Sequence, residues 1–112
     1  MATKGEIWIA DLNLIKGSEQ AGKRPVVVVS GNLLNVYAPV IWVCPLTTKI
    51  KNYKGDVVLK PNASNGLSST SEIILMHLRS ISKDRLEKKI GEIGQSELEL
   101  LRKGVAEVLH LD

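Results

Sequence analysis

Apolar residues along this chain come first in short runs of strand length and then, near the end, at helical spacing. Glu6-Ile7-Trp8-Ile9-Ala10-Asp11-Leu12 mixes apolar residues with β-formers and predicts a first strand. Asn13 to Gly22 is polar and contains Gly17 and Gly22, which predicts a loop. Pro25-Val26-Val27-Val28-Val29-Ser30 is nearly all β-branched and predicts a strand buried on both faces, with proline at its first residue. Gly31 to Ala38 predicts a turn or short helix, and Val40 to Leu46 a second buried strand. A lysine-rich stretch, Lys49 to Lys54, leads to a shorter strand at Gly55–Lys60, and Pro61 to Ser69 is a polar loop.

Ser71 to Met76 is strand-like, and His77 to Ile81 continues it after a bend. Ser82 to Leu86 predicts a helical turn capped by Ser82. Lys88 to Ile93 predicts an edge strand whose charges guard against further pairing. Ser96 is the expected cap of a closing helix, with Glu97 and Glu99 in its first turn. Leu98, Leu101, Val105 and Val108 fall on one stripe of that helix. Gly104 interrupts it at a cost of about 1 kcal/mol relative to Ala, which close packing on the sheet would explain. Many short strands and one closing helix point to a compact β-barrel with helical additions; an α+β sandwich fits the same periodicity. With no repeat or linker, 112 residues predict one domain, 1–112.

Composition removes several classes. A single cysteine, Cys44, cannot form an intrachain disulfide. With only two histidines beside it, a His/Cys zinc site in one chain is not expected. No apolar run approaches the ~20 residues that span a bilayer, and Met1 to Glu6 lacks the apolar region of a signal peptide. The expected compartment is the cytoplasm. The net charge of +3 neither requires nor excludes a nucleic-acid partner. Its distribution says more. Residues 1–65 carry eight Lys/Arg and four Asp/Glu, whereas residues 66–112 carry seven and eight. A polyanion is expected to meet the first half.

Gly17-Ser18-Glu19-Gln20-Ala21-Gly22-Lys23-Arg24 nearly matches a phosphate-binding P-loop. The match fails where Arg24 replaces the Mg²⁺-binding hydroxyl, and where a strand follows instead of a helix. Arg24 stands where loop becomes strand, so a planar guanidinium there suits a phosphate oxygen. A solvated loop with an Arg–Glu ion pair is the plainer alternative. Thr47 and Thr48 end a strand and precede Lys49 and Lys51, which suits phosphate binding or ordinary turn chemistry. His77 and Arg79 alternate along a strand and share a face. With Glu72 they could line a polar groove, or His77 could be a simple rim residue. Cys44 reads as an inert core thiol and His110 as solvated. Trp8 and Trp42 read as core, whereas Tyr37 and Tyr53 are better stacking candidates.

Taken together, Gly5-Glu6-Ile7-Trp8, Asp11-Leu12 and Gly17-Ser18-Glu19-Gln20-Ala21-Gly22-Lys23-Arg24-Pro25-Val26-Val27-Val28 resemble the MazF/PemK toxin endoribonucleases. The resemblance continues through Val43-Cys44-Pro45-Leu46-Thr47-Thr48, through Ser71 to Ile81, and into Arg85-Leu86 and the closing helix, covering nearly the whole chain. It implies a mainly β fold with short helices, an SH3-like β-barrel of the CcdB/PemK type with a C-terminal α-helix, forming a homodimer. It implies sequence-specific cleavage of single-stranded RNA without metal or cofactor, by 2′-hydroxyl attack, leaving 2′,3′-cyclic phosphate and 5′-hydroxyl ends. It also implies inhibition by a cognate antitoxin. Carried over, the family's catalytic arginine falls on Arg24, its threonine on Thr47 and its loop glutamate on Glu19. RNA contacts fall on Ser18, Gln20, Lys23, Thr48, Lys49, Lys51, His77 and Arg79. Leu14 departs from the proline common there in the family. The alternative is a non-catalytic gyrase poison like CcdB, and the joint presence of Arg24 and Thr47 favours the enzyme.

Overall fold

Consecutive valines demand apolar surroundings on both faces of a strand, and the fold supplies them. In the computed structural model, which describes residues 1–13 and 22–111, strands β1 (Glu6–Asp11), β2 (Lys23–Val28) and β3 (Val40–Thr47) pair antiparallel. Val27 points into a core with Ile7, Cys44, Leu46, Ile73 and Leu101. Val26 and Val28 point the opposite way, into a second core with Ala10, Ile41, Val43 and Ile81. All three valines are fully buried, each stabilising by about 1.5–3 kcal/mol relative to exposure.

The sheet order is β4-β5-β3-β2-β1-β7, with β4 at Val57–Leu59, β5 at Ser71–Ile73 and β7 at Leu86–Glu92. A further strand, β6 (Arg79–Ser82), also pairs with β3. β3 is long enough to hold two partners along one edge. Its first half, Val40–Val43, pairs with β6, and Leu46–Thr47 pair with β5. Between those partners the chain leaves the sheet through a 3₁₀ turn, Leu75–His77. The strand expected from Ser71 onward, continuing past His77, is therefore three elements.

Pro45 stands at this break. Its carbonyl accepts the Ile74 N–H at 3.0 Å. Groups of one strand residue point to the same side, so the missing proline N–H falls where no partner strand runs. That is why a proline sits inside a central strand without disrupting it.

Two helices complete the fold. α1 (Asn32–Tyr37) is tied down by buried Asn35, whose amide donates to the Ser30 carbonyl at 2.7 Å and accepts the Ser30 hydroxyl. α2 (Gln95–Leu109) begins earlier than expected. Its cap is Gly94, not Ser96, because the Glu97 carboxylate reaches back and accepts the Gly94 N–H at 2.7 Å. Leu98, Leu101 and Val105 pack on the core, but Val108 lies beyond it and is exposed. Gly104 fits as expected: a Cβ there would collide with Leu75 and lie 3.2 Å from the Gly55 carbonyl. Ser82 precedes the short turn Lys83–Arg85 but makes no side-chain capping bond. The result is a mainly β, curled half-barrel with a C-terminal helix, and the sandwich alternative falls away. No described helix is long and apolar enough to cross a membrane.

Candidate active site

The break in the β3 edge opens a cleft. Two adjoining recesses share Arg24, Pro45 and His77. One, of about 460 Å³, extends over Leu12, Gly22 and Arg79. The other, of about 170 Å³, extends over Thr47, Lys51, Tyr53, Ile74 and Met76.

Strand register explains why Arg24 and Thr47 meet there. Val26 and Pro45 are the last pair of β2 and β3, and Arg24 and Thr47 stand two residues beyond it on their strands, lining one recess. On the other side of Thr47 stands its partner in β5, Glu72. Opposed residues of an antiparallel pair share a face. Arg24 is exposed, its backbone held by pairing with Ala10. Among the described residues its guanidinium makes no hydrogen bond or ion pair, so it is available to an anion. The Thr47 hydroxyl oxygen accepts the Lys49 N–H at 3.1 Å. That occupies one lone pair and leaves the O–H to donate.

The chain entering and leaving residues 14–21 is tied at a neck. The Leu12 N–H donates to the Gly22 carbonyl at 2.9 Å. The Asn13 N–H donates to the Asp11 carboxylate at 3.0 Å. The Arg85 guanidinium donates to the carbonyls of Asp11, at 3.0 Å, and Asn13. Asn13 lies against Gly22, where any Cβ would collide with its amide. Ser18, Glu19 and Gln20 fall between these anchors, outside the described residues.

Of the residues expected from sequence, Arg24, Thr47, Lys51, His77 and Arg79 come together in the cleft. His77 and Arg79 do so by a different route than simple alternation: one ends the 3₁₀ turn and the other begins β6. Lys23 turns away to pair with Glu87 of β7 at 3.3 Å. Thr48 and Lys49 are exposed beyond Thr47 and do not line either recess. Tyr53 lines the cleft and Tyr37 does not. Trp8 packs on the second core, whereas Trp42 is more exposed than expected. Met76 was not anticipated. It follows a run of buried residues, and only the 3₁₀ turn puts it outside, 60% exposed at the cleft.

Glu72 does not line the groove. It is fully buried and its carboxylate accepts the N–H groups of Lys51 at 2.6 Å, Asn52 at 2.9 Å and Tyr53 at 3.1 Å. Burial opposes its ionisation, but a proton from Asp56 and those three N–H groups outweigh it and hold the carboxyl down to about 2. Asp56 is pushed the other way, to about 6, by burial and by the Glu72 carboxylate. Burial and the Asp56 charge push the Cys44 thiol up to about 12, consistent with an inert core group.

Comparison with known proteins identifies relatives of the chain. Residues 3–109 match the family of PemK-like, MazF-like toxins of type II toxin–antitoxin systems. A relative from Mycobacterium tuberculosis, endoribonuclease MazF9, is 36% identical over 117 aligned positions, covering 100% of this chain and 98% of that protein. The endoribonuclease MazF of Staphylococcus saprophyticus is 31% identical over 99 residues, 88% of this chain and 82% of its own. Among solved structures, the Mycobacterium tuberculosis toxin MazF-mt6 superposes with a TM-score of 0.78 at 23% identity, covering 96% of this chain and 98% of that one. A mycobacterial endoribonuclease in complex with its cognate antitoxin gives 0.77 at 22% identity, covering 99% and 95%. By the family match and by its curated relatives, the chain belongs to the PemK-like, MazF-like toxins of type II toxin–antitoxin systems.

Proposed function

We propose that this protein is the toxin of a type II toxin–antitoxin pair and acts as a sequence-specific endoribonuclease on single-stranded RNA. The observation that carries the reading is that Arg24 and Thr47 line one recess, each two residues beyond the Val26–Pro45 pair of β2 and β3. An uncommitted guanidinium and a donating hydroxyl there suit the non-bridging oxygens of one phosphodiester. The ribose 2′-hydroxyl attacks the adjacent phosphorus, the bond to the 5′-oxygen breaks, and a 2′,3′-cyclic phosphate and a 5′-hydroxyl form. The nucleophile is tethered beside the phosphorus, so proximity supplies much of the acceleration and no step requires a metal.

Arg24 and Thr47 stabilise charge on the phosphorane. A guanidinium is a poor base at neutral pH, so Glu19 is assigned the 2′-hydroxyl proton. His77 borders both recesses beside Arg24, and an imidazole is suited to return a proton to the leaving oxygen. Lys51, Tyr53 and Arg79 extend the contact surface along the RNA, with Thr48 and Lys49 beyond Thr47; Ser18, Gln20 and Lys23 are proposed as further RNA contacts. The relatives' names give no support to the gyrase-poison alternative.

The proposed partners are a second copy of the chain and an acidic antitoxin segment lying over the basic cleft. Leu33, Val36 and Tyr37 leave an apolar stripe of α1 in water, which suits such protein contacts. The proposed compartment is the cytoplasm, where mRNA is met.

Incubation of the purified protein with single-stranded RNA in EDTA tests the reaction. Fragments with 5′-hydroxyl and cyclic phosphate ends are expected, and none from a substrate bearing a 2′-deoxy at the cut. Inhibition by EDTA, 5′-phosphate ends, or cleavage of the 2′-deoxy substrate would overturn the mechanism.

A further inference from the structure

Segment 48–56 follows Thr47 directly and carries Lys51 and Tyr53 into the cleft. Three of its successive backbone N–H groups, at Lys51, Asn52 and Tyr53, converge on the carboxylate of Glu72. Glu72 is cross-strand from Thr47 and fully buried, so this contact lies directly beneath the cleft residues. Asp56 closes the other end of the segment. Its Oδ1 accepts the Leu75 N–H at 3.1 Å, and its Oδ2 is buried with no donor in reach. The neighbouring acid is the group suited to satisfy Oδ2: with one proton shared between Asp56 and Glu72, Oδ2–H would donate to the Glu72 carboxylate.

We infer that Glu72, with Asp56 beside it, is a positioning residue for RNA, holding segment 48–56 in the shape that presents Lys51 and Tyr53 to the cleft. The inference rests on the ribonuclease reading for its consequence and on the hydrogen-bond geometry for its cause. The segment has no helix or strand of its own between Thr47 and Val57. Its backbone donors would face water if the carboxylate were absent, and charge-assisted bonds to it are the strongest ties the segment has. Glu72 touches no substrate, so its loss should weaken RNA binding while sparing the chemical step at Arg24 and Thr47.

The pair also has a preferred charge. With one proton the two acids bond to each other; with none, two buried carboxylates repel. The Asp56 carboxyl, raised to about 6, loses its proton as pH rises through that value, and the tie on the segment loosens. The other ionisable groups around Asp56 are Cys44 from β3 and Lys103 and Glu107 from α2. None of them changes in an Asp56→Asn variant, so such a variant isolates Asp56. Its amide can donate to Glu72 at every pH while its oxygen keeps the Leu75 N–H.

The test pairs amide hydrogen exchange with steady-state kinetics on an RNA oligonucleotide. In Glu72→Gln the amides of Lys51, Asn52 and Tyr53 should exchange about tenfold faster or more, and KM should rise about tenfold with kcat within a few-fold of wild type. In the wild-type protein those three amide shifts should show an inflection near pH 6, and Asp56→Asn should abolish it and hold KM at its acid-side value. Unchanged exchange in Glu72→Gln, a loss confined to kcat, or a wild-type inflection in Asp56→Asn would each overturn the inference. Should Glu72→Gln fail to fold, Asp56→Asn alone decides it. A wild-type protein that cleaves no RNA would instead overturn the ribonuclease reading, and the exchange data would still report on the anchor.

Discussion

Replacing Arg24 with Ala should separate function from stability sharply. The side chain is exposed and, among the described residues, engages no partner. Its removal belongs with surface substitutions that change stability by about 0.5 kcal/mol or less. At roughly 4 °C per kcal/mol for a domain of this size, Tm should move by about 2 °C. Catalysis should respond on another scale. A preorganised donor aimed at developing phosphorane charge is worth about 10²–10³ in rate, or about 2.7–4 kcal/mol. Arg24→Lys should lie between, because it retains charge but loses the planar fork that meets two phosphate oxygens at once. Single-turnover cleavage of end-labelled RNA with enzyme in excess reads the chemical step, and calorimetry on the same preparations reads Tm. A wild-type rate in Arg24→Ala would refute the assignment. So would a rate loss accompanied by a Tm drop beyond about 10 °C, since the residue would then be holding the barrel together.

Three further outcomes test the fold. Leu101→Ala empties the point where α2 enters the first core, where Leu101 is 2% exposed; a loss of about 2–5 kcal/mol in chemical denaturation is expected, and a loss under about 1 kcal/mol would mean the helix is not docked as described. Gly104→Ala gains about 1 kcal/mol in helix propensity but must displace Leu75, at about 1–3 kcal/mol; a net loss near 1 kcal/mol is expected, and a more stable variant would contradict the close approach. Glu6 accepts the Thr3 N–H at 2.9 Å and the Trp8 indole N–H at 3.0 Å, and pairs with Lys89 at 3.0 Å. Against the opposing effect of burial these hold its carboxyl at about 2, so its stabilisation is present above its ordinary value of 4.5 and drains away as pH falls toward 2. Glu6→Gln should therefore flatten the acid limb of the stability curve, and an unchanged limb would show that another carboxylate sets it.

The strands were legible because their hydrophobic signal is strong. Val26 to Val28 lie between two apolar layers, and Ile41 and Val43 to Leu46 are buried as the pattern predicts, whereas Trp42 of the same strand is exposed. The interruption of the strand after Ile73 was not legible. It depends on Pro45, a distant residue on another strand, whose missing donor marks where the partner can leave. The same dependence hid Met76. Arg24, Thr47, His77 and Arg79 could be chosen by type and motif, but their convergence comes from register, which no local window contains. Glu72 was misread because a carboxylate in an apolar strand looks like a groove residue when the backbone donors it serves lie about twenty positions earlier in sequence. The cap moved from Ser96 to Gly94 because a glutamate at the third helical position can close the first turn without a hydroxyl.

The neck at Asn13 and Gly22 has an evolutionary corollary. Its ends are fastened to each other and to Arg85, a residue some seventy positions further along the chain. The acceptors that Arg85 reads are main-chain carbonyls, which every residue type carries. Evolution can therefore rewrite the letters at positions 11 and 13 without erasing those acceptors, whereas a change at Arg85 removes both ties at once.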